Sequence, residues 1–283
     1  MIVTNKFNLP EVFVNIASRN YKGSDNYTAS GMTKSIRQLW LERRHRDEIE
    51  TDVADSLWAI LGSAVHNVLE KGQEDNALTE QYLKTEIAGC VFSGMADHYI
   101  DKTISDYKFT SVWSYVYLKD SIDNHKIQLN SYKYLYESAG FDVDKLQIVF
   151  IFKDWNKFKA FDAGYPDSPI KVVDIPIMPD IEQFLIDTIN NREKYRYITD
   201  YDLPYCTPAE RWAKPVTWAV MKEGRKTAVR VLNTEEEGLA YIVKNGLDKA
   251  HYVTERKGAE WTRCEYCGGK AFCNQYREGN ESL

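Results

Sequence analysis

Asp97, followed nine residues later by Asp106-Tyr107-Lys108, supplies the side chains that metal-dependent hydrolysis of a phosphodiester needs. The flanking residues, 91–100 and 103–110, read as two strands with Asp101-Lys102 at the turn. With those two residues as the loop, Asp97 falls opposite Asp106. Lys108 then lies on the same face, because side chains alternate with period two. Like charges directly opposed across two strands destabilise each other, so a cation between them is favoured. The two aspartates are hard oxygen ligands suited to Mg²⁺ or Mn²⁺, which takes one or two carboxylates and keeps several waters. Such an ion lowers the pKa of a bound water. Lys108 can orient or help deprotonate that water, or neutralise charge in the transition state. Asp-Lys is not a favoured two-residue hairpin turn, and a three-residue loop would shift the pairing.

The surrounding elements must position these groups. Residues 1–30 are polar and read as irregular or partly extended. Ser30 or Thr33 is expected to cap a helix reaching about residue 46, whose Arg37, Arg43, Arg44 and Arg46 could contact phosphates. A solvated helix end explains the same cluster equally well, since cations suit the C-terminal dipole. Residues 52–71 form an amphipathic helix with Leu57, Ile60, Leu61, Ala64, Val65, Val68 and Leu69 on one apolar face. Gly62 and His66 share a different stripe, where the glycine leaves room for an approach to His66. A short helix is expected around 78–83, and an aromatic loop over 113–119. A helix over 121–138, ended by Gly140, places Gln128 and Tyr132 at i, i+4 on one face. Strands over 145–154 and 171–178 and a helix over 181–192 complete an α/β arrangement with helices covering a central sheet.

Composition sets outer bounds. At 283 residues, with 43% hydrophobic and 28% charged residues, the chain is long and apolar enough for one or two globular domains. A net charge of −6 does not exclude nucleic acid, because a local basic groove matters more than the total. No apolar run approaches the ~20 residues that span a bilayer. The opening residues lack the apolar stretch of a signal peptide, so a cytoplasmic protein with no membrane contact is expected. Five cysteines in such a chain point to metal binding or free thiols rather than a disulfide framework.

The joint order Gly62-x3-His66, Gly94-x2-Asp97, Asp106-Tyr107-Lys108, Gln128-x3-Tyr132 resembles the PD-(D/E)XK nuclease superfamily in its RecB-like branch, over roughly residues 55–155. The resemblance implies a restriction-endonuclease-like core with a central mixed sheet flanked by helices. It implies that His66 assists metal binding and that Asp97 and Asp106 hold the metal. Lys108 would serve the hydrolytic water, while Gln128 and Tyr132 engage DNA or support the site.

Near the C-terminus, Cys264, Cys267 and Cys273 form a C-x2-C-x5-C cluster, and Cys206 supplies a fourth thiolate. Spacing alone leaves zinc and an iron–sulfur cluster both open. The resemblance to RecB-like nucleases of AddB, CRISPR-associated and phage types, several of which carry three C-terminal cysteines of this kind, implies a four-iron four-sulfur cluster. In the first two types the first cysteine precedes the nuclease core, whereas here Cys206 must take its place. Such a cluster would clip residues 206–264 shut and pin the tail against the core. Within that segment a hairpin over 216–221 and 227–232, turning at Gly224, and a helix over 234–244 are expected.

The expected organisation is an N-terminal helical extension (1–50), a nuclease core (51–200) and a cysteine-cluster region packed on the core (201–283). The expected function is a Mg²⁺- or Mn²⁺-dependent exonuclease acting on DNA ends or single strands in phage or bacterial recombination or repair, with a recombination protein as a candidate partner. A CRISPR-associated end-trimming nuclease and a catalytically silent Cys-rich nucleic-acid-binding protein are the alternatives.

Overall fold

The computed structural model describes residues 2–19, 26–72, 74–118, 122–160, 162, 164–258 and 261–280, and divides the chain into two units, Met1–Leu203 and Pro204–Leu283. In chain order the first unit contains β1 (Ile2–Thr4), α1 (Glu11–Arg19), β2 (Tyr27–Thr28), α2 (Ile36–Arg44), β3 (Glu50–Asp52), α3 (Leu57–Glu70), β4 (Leu78–Ile87), β5 (Cys90–Ile100) and β6 (Thr103–Thr110). It continues with α4 (Val112–Val116), α5 (Ile122–Ser138), β7 (Lys145–Phe152), β8 (Ile170–Asp174) and α6 (Ile181–Glu193).

A six-stranded mixed sheet runs β2-β5-β6-β7-β8, with β4 on the other edge of β5. The central hairpin turns at Asp101 and Lys102, whose φ values of 45° and 60° are those of a primed turn, and Ile100 pairs with Thr103. Thus the turn lies where the strand pattern put it, although Asp-Lys is an unusual choice for it. Parallel pairing joins β6 to β7, as Asp106↔Ile148 and Lys108↔Phe150.

Alternation then sorts the side chains. Ile104, Leu146, Ile148, Phe150 and Phe152 are buried with Leu129, Leu135 and Tyr136 of α5 and Leu185 and Ile189 of α6. Residue 121, expected to open α5, lies outside the described residues, as does 119. α5 ends as expected at Gly140, whose φ of +91° and whose following Phe141 N–H donating to Tyr136 O make a Schellman close.

Several expectations are corrected. Ser35 caps α2, its side chain accepting from Gln38 N at 3.1 Å, and residues 30–33 form a separate 3₁₀ turn. Residues 78–83 belong to β4, not a helix, because a long antiparallel pairing with β5 overrides weak local preference. Residues 112–116 form a short helix rather than a loop, and 11–19 form α1 in a stretch read as irregular. α3 begins after a 3₁₀ turn at Val53–Ser56, and none of its residues is buried. The segment read as an N-terminal extension contributes Tyr27, Ala29, Met32 and Leu39 to the core and β2 to the sheet.

The arginine cluster of α2 is also corrected. Arg37 is 1% exposed, and its guanidinium donates to the carbonyls of Asp200, Tyr201 and Leu203. Arg44 pairs with Asp200 at 2.6 Å, Arg43 donates to Asn26 O and lies over Tyr27, and Arg46 donates to Arg43 O. Arg37 and Arg44 thus hold α2 to the segment after α6 instead of facing phosphates.

His45, beside them, has Nε2 2.6 Å from Asp200 and Nδ1 2.8 Å from Glu48. Burial opposes its charge, but the two carboxylates outweigh burial and raise its imidazole above the ordinary value. A folded-state pKa above the unfolded one stabilises the protein fully below about pH 6.5, and that stability is lost as pH rises through the folded value. His45→Ala is therefore expected to lower the melting temperature at pH 5.5 and to lower it less at pH 8.5, as read by thermal denaturation. An equal loss at both pH values would contradict the assignment.

The second unit contains β9 (Thr217–Lys222), β10 (Arg230–Leu232), α7 (Glu235–Lys244), β11 (His251–Arg256) and α8 (Asn274–Asn280), with sheet order β10-β9-β11. The hairpin turning at Gly224, with φ of +76°, and the helix capped by Thr234 match the expected pattern. β11 adds a third strand that the sequence did not reveal. Among the described residues no helix is long and apolar enough to cross a membrane.

Candidate active site

The site forms where the sheet forks. On the edge of β5 opposite β4, β2 pairs only with Phe92–Ser93 and β6 only with His98–Ile100. Between these contacts, among the described residues, no strand pairs with Gly94–Asp97 on that edge. The ladder stops at His98↔Ser105, one step before Asp97 would face Asp106. Asp97 Oδ2 instead accepts the Tyr107 N–H at 2.6 Å, so its carboxylate replaces a backbone acceptor as the strands part.

The other expected groups converge here. Lys108 Nζ is 2.5 Å from Asp106 Oδ2, as same-face placement two residues apart requires. From α3, His66 Nδ1 reaches 3.3 Å from Asp97 Oδ1, with the ring edge-on to Tyr107. From α5, Gln128 Nε2 donates to Tyr132 Oη at 2.9 Å and to Asp106 Oδ1 at 3.4 Å. The i, i+4 spacing of Gln128 and Tyr132 makes that pair meet.

Burial decides the electrostatics. Asp106 is 2% exposed, and its Oδ2 is approached by Lys108 without hydrogen-bond alignment. Desolvation pushes its carboxyl above the ordinary range and the charge of Asp97 adds to this, against the pull of Lys108 and His66. The Asp97 carboxylate raises the His66 imidazole. Burial keeps the Tyr132 phenol protonated, so it serves as a hydrogen-bond partner rather than a base.

Two residues at the site were not singled out from the sequence. Glu80 of β4 falls between the pairs Thr79↔His98 and Gln81↔Ala96, which places it across from Asp97. Its Oε1 is 3.9 Å from His66 Nδ1, and its φ of 45° is strained for a non-glycine. Reading 78–83 as a helix hid it. His125 of α5 precedes Gln128 by three residues, a spacing that could have drawn notice. Burial, with the nearby Lys108 charge, pushes its imidazole down to about 4, so it is neutral beside the lysine.

Gly94 sets the depth of the site. A Cβ there would lie 2.8 Å from Leu135 Cδ1, 3.0 Å from Tyr132 Cε1 and 3.1 Å from Ala29 Cβ. Gly94→Ala is expected to cost about 1–3 kcal/mol by overpacking, measured by urea unfolding, and to displace Tyr132 from Gln128. A cost within 0.5 kcal/mol of zero would contradict this close approach (about the spread of neutral substitutions).

A divalent cation fits this donor set. The buried Asp106 Oδ2 has no hydrogen bond, and Asp97, Glu80 and His66 line the same gap. Among the described residues no three His, Cys, Asp or Glu side chains close tightly enough to hold an ion by themselves. An ion that takes one or two carboxylates and keeps its waters does not need them to.

In the second unit, the Cys206 N–H donates to Gln275 Oε1, while Gln275 Nε2 donates to Cys206 O. Cys267 N donates to Cys264 O in a 3₁₀ turn, and Cys273 is buried. Burial, then the neighbouring Cys206 and Cys273, push the Cys264 thiol up to about 11. Cys206 and Cys273 are thus near enough to Cys264 to disfavour its thiolate.

The fold and the site together define an α/β unit whose forked mixed sheet presents two aspartates and a lysine. No protein-family model matches the chain, and no curated protein matches it. Among solved structures, it is similar to SSO0001 (18% identity, TM-score 0.46, 67% of this chain and 85% of that one). It is similar also to a phage-related exonuclease from Haemophilus somnus 129PT (15%, TM-score 0.32, 66% and 79%). A third is the alkaline exonuclease of Laribacter hongkongensis (13%, TM-score 0.36, 66% and 96%).

Proposed function

We propose that the chain is a metal-dependent DNA nuclease, acting as an exonuclease on ends or single strands. The observation that carries this reading is the Asp97–Asp106–Lys108 trio at the fork, with Asp106 buried against Lys108 and both acids flanked by groups from two helices. Asp97 and Asp106, with His66 and Glu80 beside them, would hold Mg²⁺ or Mn²⁺. When bound, that ion stabilises negative charge on the phosphate and makes water more acidic.

The remaining work falls to the chain's own groups. Lys108 places a positive charge where charge develops on the phosphate oxygens and donates hydrogen bonds to the attacking water. Gln128, held by Tyr132, fixes the Asp106 carboxylate through Oδ1 and keeps Oδ2 facing Lys108. His125 leaves Lys108 without a second positive charge beside it. Burial of Asp106 excludes water from one side of the gap, which strengthens every charge interaction within it.

For the second unit, we propose a four-iron four-sulfur cluster on Cys206, Cys264, Cys267 and Cys273. Its support is the C-x2-C-x5-C spacing of Cys264, Cys267 and Cys273, with Cys206 and Cys273 close enough to Cys264 to disfavour its thiolate. Recombination or repair is the role proposed for the activity.

The test is incubation with 5′- and 3′-labelled single and double strands. Cleavage dependent on Mn²⁺ or Mg²⁺ and stopped by chelation is expected, with mononucleotides or short products from one end. Intact DNA under all these conditions would overturn the nuclease reading. Anaerobically purified protein should be brown, with about four iron atoms per chain, and a colourless protein with stoichiometric zinc would overturn the cluster.

A further inference from the structure

Beyond Lys108, the ends of β6 and β7 carry side chains that the hydrolytic site does not use. The segment after β7, Lys153 to Lys159, has three lysines and one acid, and that acid, Asp154, accepts the Val112 N–H at 2.7 Å. Among the described residues none of Lys153, Lys157 and Lys159 has a carboxylate at ion-pair distance. Between them Phe158 is 91% exposed. Lys153 Nζ stands 3.2 Å from the ring centroid of Trp58, itself 57% exposed. α4 stacks Trp113 on Tyr117 at 5.8 Å and 22°, and both rings are more than half exposed.

These groups adjoin the catalytic trio along two independent paths. Trp58, Gly62 and His66 follow at i, i+4, i+8 on α3, a rise of about 12 Å, and a Cβ on Gly62 would meet nothing within 4 Å. From Asp106 to Thr110 along β6 is about 13 Å. There Thr110 O accepts from Lys153 N at 2.9 Å, and its hydroxyl bonds Ser114 of α4 at 2.7 Å. The distance corresponds to about four nucleotides at ~3.4 Å per nucleotide.

We propose that this surface is a track for single-stranded DNA leading a strand end to Asp97, Asp106 and Lys108. Bases stack on the Trp113–Tyr117 pair and Phe158, and phosphates lie against Lys157, Lys159 and the Lys153 held over Trp58. It deepens the nuclease reading and rests on it. The chemistry selects a single strand: unstacked bases offer faces to exposed rings, which a duplex hides, and unpaired lysines match phosphates in a chain that is acidic overall.

The test measures anisotropy of a labelled oligothymidylate and of a duplex of equal length on the full chain carrying Asp106→Asn, so that no strand is cut. Phe158→Ala and Trp113→Ala should each weaken single-strand binding about 5- to 150-fold and leave duplex binding unchanged. Lys157→Ala and Lys159→Ala should each reduce the slope of log affinity against log salt by about 0.7, while Lys244→Ala on α7 should not. Unchanged single-strand affinity and slope, or an equal loss for duplex, would overturn the track. If the wild type cleaves DNA and the track variants bind normally, the track alone fails. If the wild type cleaves nothing but the variants lose binding, the nuclease reading fails instead.

Discussion

Asp106→Asn and Lys108→Ala should each reduce phosphodiester cleavage by about 10³-fold, the scale seen when one group aimed at developing charge is removed. Their effects on stability should be opposite, which separates loss of chemistry from loss of fold. Asp106 is nearly fully buried and its carboxyl is raised above its ordinary value. A carboxyl raised on folding favours the folded state below its unfolded pKa and costs stability as pH climbs through the folded one. Asparagine keeps the shape and removes that cost, so Asp106→Asn should melt higher than wild type at pH 8 in chelator. Lys108→Ala leaves the buried carboxylate without its cation, so it should melt lower, and by more at pH 8 than at pH 5. Full cleavage by either variant would remove the trio from catalysis. A fall in melting temperature for Asp106→Asn would mean the carboxylate is needed to hold the hairpin.

Arg192→Met is expected to destabilise the protein by about 3–5 kcal/mol, a large share of the ~5–15 kcal/mol of a typical domain. Arg192 of α6 is 3% exposed. Its guanidinium donates to Gly31 O at 3.3 Å, Met32 O at 2.8 Å and Lys34 O at 2.5 Å. Its own carbonyl accepts Trp40 Nε1 at 3.0 Å. Methionine fills the space but leaves buried carbonyls without donors, each costing about 1–3 kcal/mol. The loss should appear as a lower urea midpoint with an unchanged slope, and a change below 1 kcal/mol would show that water replaces the guanidinium.

The contrast between these two sites explains what could be read from the chain alone. Asp97, Asp106 and Lys108 were legible because a two-residue turn fixes a register and period-two alternation fixes a face. α5, β7 and α6 were legible because their apolar residues recur at the spacing each element demands. Glu80 was not, because Leu78-Thr79-Glu80-Gln81-Tyr82-Leu83 lacks strand alternation and becomes β4 only by pairing with β5. Arg37 and Arg44 looked like phosphate ligands because their partners, Asp200 and the carbonyls after α6, lie more than 150 residues away in sequence. Periodicity marks one apolar face on α3, yet its Leu57, Leu61 and Val68 are 37–68% exposed. Periodicity states that a face is apolar and not what covers it.

The fork in the sheet has a mechanical consequence. β5 and β6 are joined by a turn and three residue pairs at one end, and just beyond His98↔Ser105 the Asp97 carboxylate, bonded to the Tyr107 N–H, replaces the ladder between them. They act as the arms of a pair of tweezers pivoting near Asp101-Lys102, with Asp97 and Asp106 just past the pivot. A small change of twist at the pivot alters the gap between the carboxylates without breaking any strand pairing. The aperture at the acids is thereby uncoupled from the rigidity of the sheet behind them, where β6 pairs with β7 along its whole length.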